Sequence, residues 1–486
     1  MKKHYTLLLR CVLPVLIITS ASCDKNFEEI NTNPNGVQNA LPQAFLAPAI
    51  TSTVSANMSR SQRITNELMQ ITVNMGDTEG RIFRYDVRKA EADYLWNSWY
   101  IELTNFKDMT DQASKEASKS AGYQGIGLIC QSWLHSLITD TYGDSPYSES
   151  NKAKENNFTP KFDRQKDIYL DIFAKLEQAN TLLKTATNVV GVSDPIYAGN
   201  VANWRKFGNS LYLRLLLRVS GKAEVAAQVQ AKIKEMIDTK PGDYPVMTAN
   251  TESAVLRWTG VAPFVSPFAT WRPADWYTPK LASFFVDKLN AWGDPRVAKW
   301  ATLADGEYAG IPSGYPVGQA PQSRSTLPTS LQVESLLGNI MNYSELQYIL
   351  AEAHIKGYIT TGSAKTYYEN GLNNGITFWG YPVPSGYASR QSLAWNDALN
   401  LDGKMELIHS QKYYSLFFTD LESWFEYRRT GHPVLPNNGG LINNGVMPAR
   451  LNYPVYIQTS NANSYRDAVA AQGADEITTQ VWWQKP

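Results

Sequence analysis

Apolar residues recur at intervals of three and four through much of the chain, which is the spacing of one face of an α-helix. In Gly125–Tyr142 the stripe is Ile126, Ile129, Cys130, Trp133, Leu134, Leu137 and Ile138. It closes on Tyr142-Gly143-Asp144-Ser145-Pro146, whose turn chemistry ends the helix. Asp167–Lys184 repeats Ile168, Ile172, Phe173, Leu176, Ala179 and Leu183, and Trp204–Ser220 repeats Trp204, Phe207, Leu211 and Leu215 with Arg214 and Arg218 alongside. The same period predicts helices over Ala92–Lys107 (Trp96, Trp99, Tyr100, Leu103), Asn342–Lys356 (Tyr343, Leu346, Ile349, Leu350, Ala353), Met405–Phe418 and Asp420–Arg428.

One pair of helices has a further pattern. Asn342–Lys356 is followed by Gly357 and then by a second helical stretch, Ser363–Asn374. The pair carries small residues at Ala351, Ala353, Ala364 and Gly371 and bulky rings at Tyr367 and Tyr368. A small residue where two helices cross, a glycine at the turn and a tyrosine on the second helix look like a tetratricopeptide unit. The expected class is therefore mainly α, with tetratricopeptide-like helical repeats.

Two regions break the period. Thr248–Pro328 is rich in proline, glycine and rings, among them Trp258, Phe264, Phe268, Trp271, Trp276, Tyr277, Trp292, Trp300, Tyr308 and Tyr315. Thr430–Asn463 is also loop-rich. Loops held on a rigid scaffold are where binding residues concentrate.

The start of the chain has the pattern of a targeting segment. Lys2, Lys3, His4 and Arg10 precede an apolar run, Cys11–Thr19, that is too short for a membrane span of roughly 20 residues. Ser20-Ala21-Ser22 then precede Cys23, with Ser20 where a lipobox ordinarily has leucine. We expect residues 1–22 to be a lipoprotein signal peptide, Cys23 to be acylated, and residues 23–40 to be a tether. Each buried methylene of an acyl chain contributes about 0.8 kcal/mol, so several chains hold a protein stably. Residues 41–486 are expected to form one globular domain, with the aromatic insertion at about 248–328.

Composition narrows the functional classes. Lys+Arg and Asp+Glu are equal at 45 each, with no basic block, which argues against nucleic acid and against a polybasic membrane patch. Aromatic residues make up 12% of the chain, including 14 Trp and 27 Tyr. Most will be core, but flat rings with a polar handle also suit sugars and peptides. With Cys23 acylated no intramolecular disulfide remains, and Cys130 on its apolar stripe reads as a small buried hydrophobe.

Several stretches together carry a resemblance: Asn31-Thr-Asn-Pro-Asn35; Asp140-Thr-Tyr-Gly-Asp144-Ser-Pro146-Tyr; Trp204-Arg-Lys-Phe-Gly-Asn-Ser-Leu-Tyr-Leu-Arg214; Tyr343-Ser-Glu345 leading to Ala351-Glu352-Ala353; Gln411-Lys412-Tyr413; Glu422-x-Trp424-x-Glu426-Tyr427-Arg428-Arg429-Thr430-Gly431; Ala449-Arg450-Leu-Asn-Tyr453-Pro454; and Val481-Trp482-Trp483. In this order they resemble the SusD/RagB family of outer-membrane lipoproteins, in its SusD-like branch, across essentially the whole chain after residue 22. The resemblance implies an α/α superhelix of four tetratricopeptide-like pairs cradling a loop-rich, ligand-binding part. It implies an outer-membrane, lipid-anchored protein on the extracellular face, sitting as a lid over a SusC-like TonB-dependent transporter. It implies an oligosaccharide ligand, with peptides as the alternative.

The shared motifs themselves look structural. Arg428 and Arg429 stand at helical spacing for ion pairs with Glu422 and Glu426. Asp140, Gly143 and Asp144 look like turn and cap residues.

Ligand candidates come instead from rings outside the helical period. Trp271, Trp276 and Tyr277 lie in the proline-containing stretch Thr270–Pro279. Phe83 and Tyr85 flank Arg84, whose guanidinium suits sugar hydroxyls or a carboxylate. Tyr308 and Tyr315 flank a Gly/Pro loop, and Trp99 of the earlier helix completes the set. Asp294, Asp305 and Glu307 are candidate ligands for a structural calcium, although no EF-hand loop exists and no cofactor is required. Catalysis finds little support: His135, His354, His409 and His432 form no H-E-x-x-H, and no G-x-S-x-G elbow or Walker loop occurs. A lipid-anchored hydrolase using two distant carboxylates is the remaining catalytic alternative.

Overall fold

The structure is a computed structural model that describes residues 40–485. The signal peptide, Cys23 and nearly all of the expected tether lie outside the described residues.

Short polar side chains start several of the helices. The side-chain oxygens of Ser120, Asn200, Asn342, Ser363 and Asn400 each accept the backbone N–H three residues on. That satisfies a donor the first helical turn would otherwise leave free. The main helices are α1 (Gln43–Arg60), α2 (Ala92–Ser114), α3 (Ala121–Tyr142), α4 (Gln165–Thr185), α5 (Val201–Val219), α6 (Ala226–Lys234), α7 (Ser283–Trp292), α8 (Tyr343–Ile355), α9 (Ala364–Phe378), α10 (Leu401–Ser415), α11 (Glu422–Thr430) and α12 (Ala462–Gln472). Every helix expected from periodicity forms. Not expected were α1, α6 and α12, or α7, which lies inside the segment anticipated as loop.

Neighbours along the chain pack in pairs: α1 on α2, α2 on α3, α3 on α4, α4 on α5, and α8 on α9. Glycines set the closest approaches. A Cβ on Gly125 of α3 would lie 2.6 Å from Leu183 of α4, and one on Gly371 of α9 would lie 2.5 Å from the Tyr348 ring of α8. Gly357 ends the α8 turn at φ +73°, a conformation that L side chains rarely adopt. The pair α8–α9 thus has the small-residue crossing, glycine turn and buried tyrosine (Tyr368) of a tetratricopeptide unit. The architecture is a predominantly helical superhelix with small loop and sheet insertions.

Among the described residues the strands form three two-stranded antiparallel sheets. β1 (Thr72–Val73) pairs with β5 (Lys280–Leu281), β2 (Ser145–Pro146) with β3 (Phe162–Asp163), and β4 (Ala254–Leu256) with β6 (Gly338–Met341). The first pairing fastens the aromatic insertion to the N-terminal region, with Thr72 opposite Leu281.

The shared motifs lie in a buried charge network. Arg214 grips Glu345 through Nε at 2.7 Å and Nη2 at 2.6 Å, and Arg218 bridges Asp140 and Glu422. Arg429 holds Glu426 at 2.8 Å as its spacing predicts, and also Glu352. Arg428 departs from expectation. It donates to the Asp140 and Ala449 carbonyls and lies over the Trp424 and Trp483 rings, because Glu422 is already taken by Arg218. Asp140 is likewise not a cap but a buried acceptor for Arg218, Tyr169 and Trp483. Asp144 does cap, accepting from the Gln165 N–H at the start of α4. Cys130 is buried and free, as its stripe suggested. Among the described residues no helix is long and apolar enough to cross a membrane.

Candidate functional site

The cleft begins where α1 changes its winding. After Arg60 the backbone widens into a π-turn, Ser61–Thr65, and then resumes as Asn66–Leu68. Such turns recur at functional sites, since the extra residue re-aims neighbouring side chains. Here Arg60, Gln62, Arg63 and Glu67 line a cavity of about 440 Å³ together with Asn74, Tyr94, Trp271, Asp275, Thr278 and Pro279. Asn74 follows β1 and Pro279 precedes β5, so the β1–β5 pairing holds two sides of the cleft in register. A smaller recess of about 210 Å³ shares Arg63, Glu67 and Asn74 and adds Thr78–Ile82.

Its side chains are held before any ligand arrives. The Arg60 guanidinium lies 4.2 Å from the centroid of the Tyr94 ring, and Arg60 pairs with Glu91 at 3.2 Å. Glu91 also takes Arg63 through both carboxylate oxygens. Trp271 packs edge-on against Phe268 at 5.1 Å and Trp276 at 6.2 Å, and its carbonyl accepts from Gln332. Arg272 forks onto Asp275 and stiffens the turn.

Glu67 has the most perturbed titration in the cleft. Burial pushes its carboxyl up to about 8, against the Phe83 N–H bond and the charges of Arg63 and Arg81, which favour the anion. At neutral pH it is a buried acid with an O–H to donate. Two rings, two guanidiniums, an amide and a neutral acid together match a ligand with apolar faces and polar edges.

Of the residues expected to touch ligand, Trp271 is the one brought to this cleft, half-buried. Trp276 is buried behind it, its Nε1 donating to the Pro328 carbonyl at 3.0 Å. Tyr277 is exposed and Tyr308 half-buried, and neither lines the cavity. Phe83, Arg84, Tyr85, Trp99 and Tyr315 are all buried, which corrects the expectation that they present surfaces to a ligand. Phe83 and Tyr315 pack on one another at 5.1 Å in a satellite core with Val73, Ala282 and Ile311. Arg84 clamps loops by donating to the Tyr315 and Gly76 carbonyls and pairing with Asp77. Trp99 donates to Asn57 in the main core. Tyr85 sits in the same core.

Sequence reasoning missed Tyr94, Arg60, Arg63 and Glu67. Tyr94 was the findable one, because it falls off the Leu95/Trp96/Trp99 stripe of α2 and so had to face outward. The arginine and glutamate positions depend on a π-turn that periodicity does not reveal.

The calcium candidates do not offer free oxygens at Asp294, whose carboxylate is held by Arg296 and by the Tyr387 hydroxyl at 2.6 Å. Asp305 pairs with Arg324. Elsewhere Glu352, His409 and Glu426 approach one another closely enough for a metal. Arg429 bridges both carboxylates, and Lys356 and Lys412 add further charge, so the cluster is an ion-pair network.

A SusD-like family model described as "Starch-binding associating with outer membrane" matches residues 34–454. Solved structures share the fold. A chitin-binding protein is 25% identical with a TM-score of 0.77, over 91% of this chain and 99% of its own. A chitin-binding SusD homolog from Flavobacterium johnsoniae is 21% identical with a TM-score of 0.80, over 91% and 98%. A SusD homolog from Bacteroides fragilis is 23% identical with a TM-score of 0.77, over 92% and 99%. No curated protein matches the sequence.

Proposed function

This chain belongs to the SusD-like family, and on that premise we propose that it is a lipoprotein, anchored through Cys23 on the outer face of the outer membrane, that binds an oligosaccharide without cleaving it and passes it to a SusC-like TonB-dependent transporter. The observation that carries the reading is the cleft in which Trp271 and Tyr94 line one cavity with Arg60, Arg63, Asn74 and Glu67. The rings suit the apolar faces of pyranoses, and the polar groups suit their hydroxyls. Relatives of the same fold that bind chitin support a glycan. Each stacked ring contributes about 0.5–1.5 kcal/mol beyond area burial. Such a site binds with modest affinity once ordering costs are subtracted, which suits a protein that must release its ligand to a transporter.

Calorimetric titration with chitin oligosaccharides, maltooligosaccharides and a peptide mixture tests the reading. Binding of one glycan series, lost in Trp271→Ala, is expected. Binding of peptides alone would replace the glycan by a peptide in the same cleft. Release of new reducing ends from any polysaccharide would make the protein a hydrolase and overturn the non-catalytic role. Co-purification of a β-barrel partner from native membranes tests the transporter, and mass spectrometry of the mature N-terminus tests acylation at Cys23.

A further inference from the structure

A second cavity lies away from this cleft and shares no residue with it. It has a volume of about 640 Å³ and is walled by α2, α3, α4 and the loop after β2. Its chemistry is segregated by depth. On the floor, His135 is 2% exposed, and its Nδ1 has no hydrogen-bond partner. The ring packs on Tyr147 at 4.3 Å. An unpartnered buried ring nitrogen beside a polar cavity is a group left waiting for a partner.

Above it, Lys107 is held only by neutral acceptors: the Ser150 carbonyl at 2.9 Å, the Ser150 hydroxyl at 2.7 Å and the Asn151 amide oxygen at 3.3 Å. Burial, with Lys175 and Lys152 nearby, pushes its ammonium down to about 8. Lys152 also lines the cavity and has no carboxylate partner among the described residues. The carboxylates inside are already committed: Asp171 to Lys175 and the Tyr147 hydroxyl, Asp108 to Lys154, and Asp163 to Ser148 and the Tyr147 N–H. Asp111, Glu155 and Asp167 are exposed at the rim and bear no ion pair. A half-buried ammonium that makes no ion pair, with only the more distant charge of Asp111 in its favour, is costly unless an anion completes it.

We propose that this cavity is a second binding site, for a uronate-bearing saccharide. The uronate carboxylate sits between Lys107 and Lys152, and the sugar hydroxyls donate to Asp111 and Asp167. The Tyr147 and His135 rings, tilted at 58° to one another, form the floor. The acidic rim selects a singly charged, hydroxyl-rich ligand over a free dianion, whose second charge it repels. The volume lies within the range of small-molecule pockets, about 300–1,000 Å³.

The test is calorimetry of the whole mature protein with galacturonate, which carries one carboxylate, with neutral galactose, and with acetate and inorganic phosphate. Galacturonate is expected to bind at least about tenfold more tightly than galactose. Lys152→Ala and Lys107→Gln should each weaken it by about tenfold, and Trp271→Ala should leave it unchanged. The Lys152 side chain makes no hydrogen bond or ion pair among the described residues, so its variant tests the site even if Lys107→Gln disturbs the loop. Equal binding of the two sugars, uronate binding indifferent to Lys152→Ala, or acetate and phosphate binding as tightly as galacturonate would each overturn the proposal. Loss of uronate binding in Trp271→Ala alone would assign it to the first cleft instead.

Discussion

The guanidinium of Arg60 lies over the ring of Tyr94, 4.2 Å from its centroid, while Glu91, three residues before Tyr94, pairs with the same arginine. Arg60 ends α1 and Tyr94 sits in the first turn of α2, so this contact joins two helices at the edge of the cleft. An exposed tyrosine ring would otherwise sample several rotamers. Fixing it lowers the ordering cost a ligand must meet on binding.

Removing either ring should therefore weaken glycan binding with the fold intact. Tyr94→Ala and Trp271→Ala are each expected to cost about 0.5–1.5 kcal/mol or more of binding energy. Calorimetry reports the affinity, and unchanged far-ultraviolet dichroism reports the fold. Arg60→Ala should produce a smaller loss, because Tyr94 keeps its place in α2 but gains freedom.

Trp276→Ala should behave differently. Its ring is buried behind Trp271 and its Nε1 is bonded to Pro328, so its loss opens a cavity costing about 3–5 kcal/mol. Urea denaturation should show a lowered midpoint, and binding should weaken because Trp271 loses its backing.

Glu67 makes a pH-dependent prediction. Its folded carboxyl titrates near 8, above its ordinary value of 4.5, so the folded state holds a proton that the unfolded state releases. Its contribution to stability is complete below about 4.5 and is lost as pH rises through 8. Arg63, Arg81 and Glu91 are the charges around it. The stability profile of Glu67→Gln should lack this decline, which runs between about pH 4.5 and 8. If Glu67 donates to ligand, affinity should fall as pH rises through about 8 in the native protein and stay flat in the variant.

Gly371→Ala would set a Cβ 2.5 Å from the Tyr348 ring. Separating α8 from α9 or turning that ring is expected to cost about 1–3 kcal/mol, as for other overpacked cores. A lowered thermal midpoint without loss of glycan affinity would place the effect in the repeat and not in the cleft.

Glu345→Ala should be among the most damaging single changes. It leaves Arg214, buried at 1% exposure, without its bidentate partner. Breaking such a pair from one side costs about 3–5 kcal/mol. Arg214→Met combined with Glu345→Leu should recover much of the loss, measured by urea midpoint.

The helical frame was legible along the chain because helix period is a local property. Gly125–Tyr142 and Asp167–Lys184 read correctly from their own stripes, and the structure extends each by a few residues. The α8–Gly357–α9 unit was legible for the same reason, since its glycine, small residues and tyrosines lie within one short stretch. α1 escaped because Pro48 and polar residues interrupt its stripe, and α7 because it sits among prolines and rings that read as loop.

The residues that line the cleft were largely not legible. Phe83 is buried by Tyr315, Trp276 by the chain around Phe268 and Pro328, and Trp99 by Asn57 and the core of α1–α3. Exposure of a ring is decided by segments far away in sequence, so composition alone could only nominate it.

The sequence by itself determined a helical repeat protein with an aromatic, loop-rich insertion and a recognisable family pattern. Those follow from period, turn chemistry and residue order, all of which are local. Only the tertiary structure decided that Trp271 and not Trp276 reaches the cleft, that Arg60, Arg63 and Glu67 join it there, and that a lysine-lined cavity opens between α2 and α4. Each of these depends on burial and charge pairing between distant segments, which the β1–β5 pairing and the helix crossings bring together.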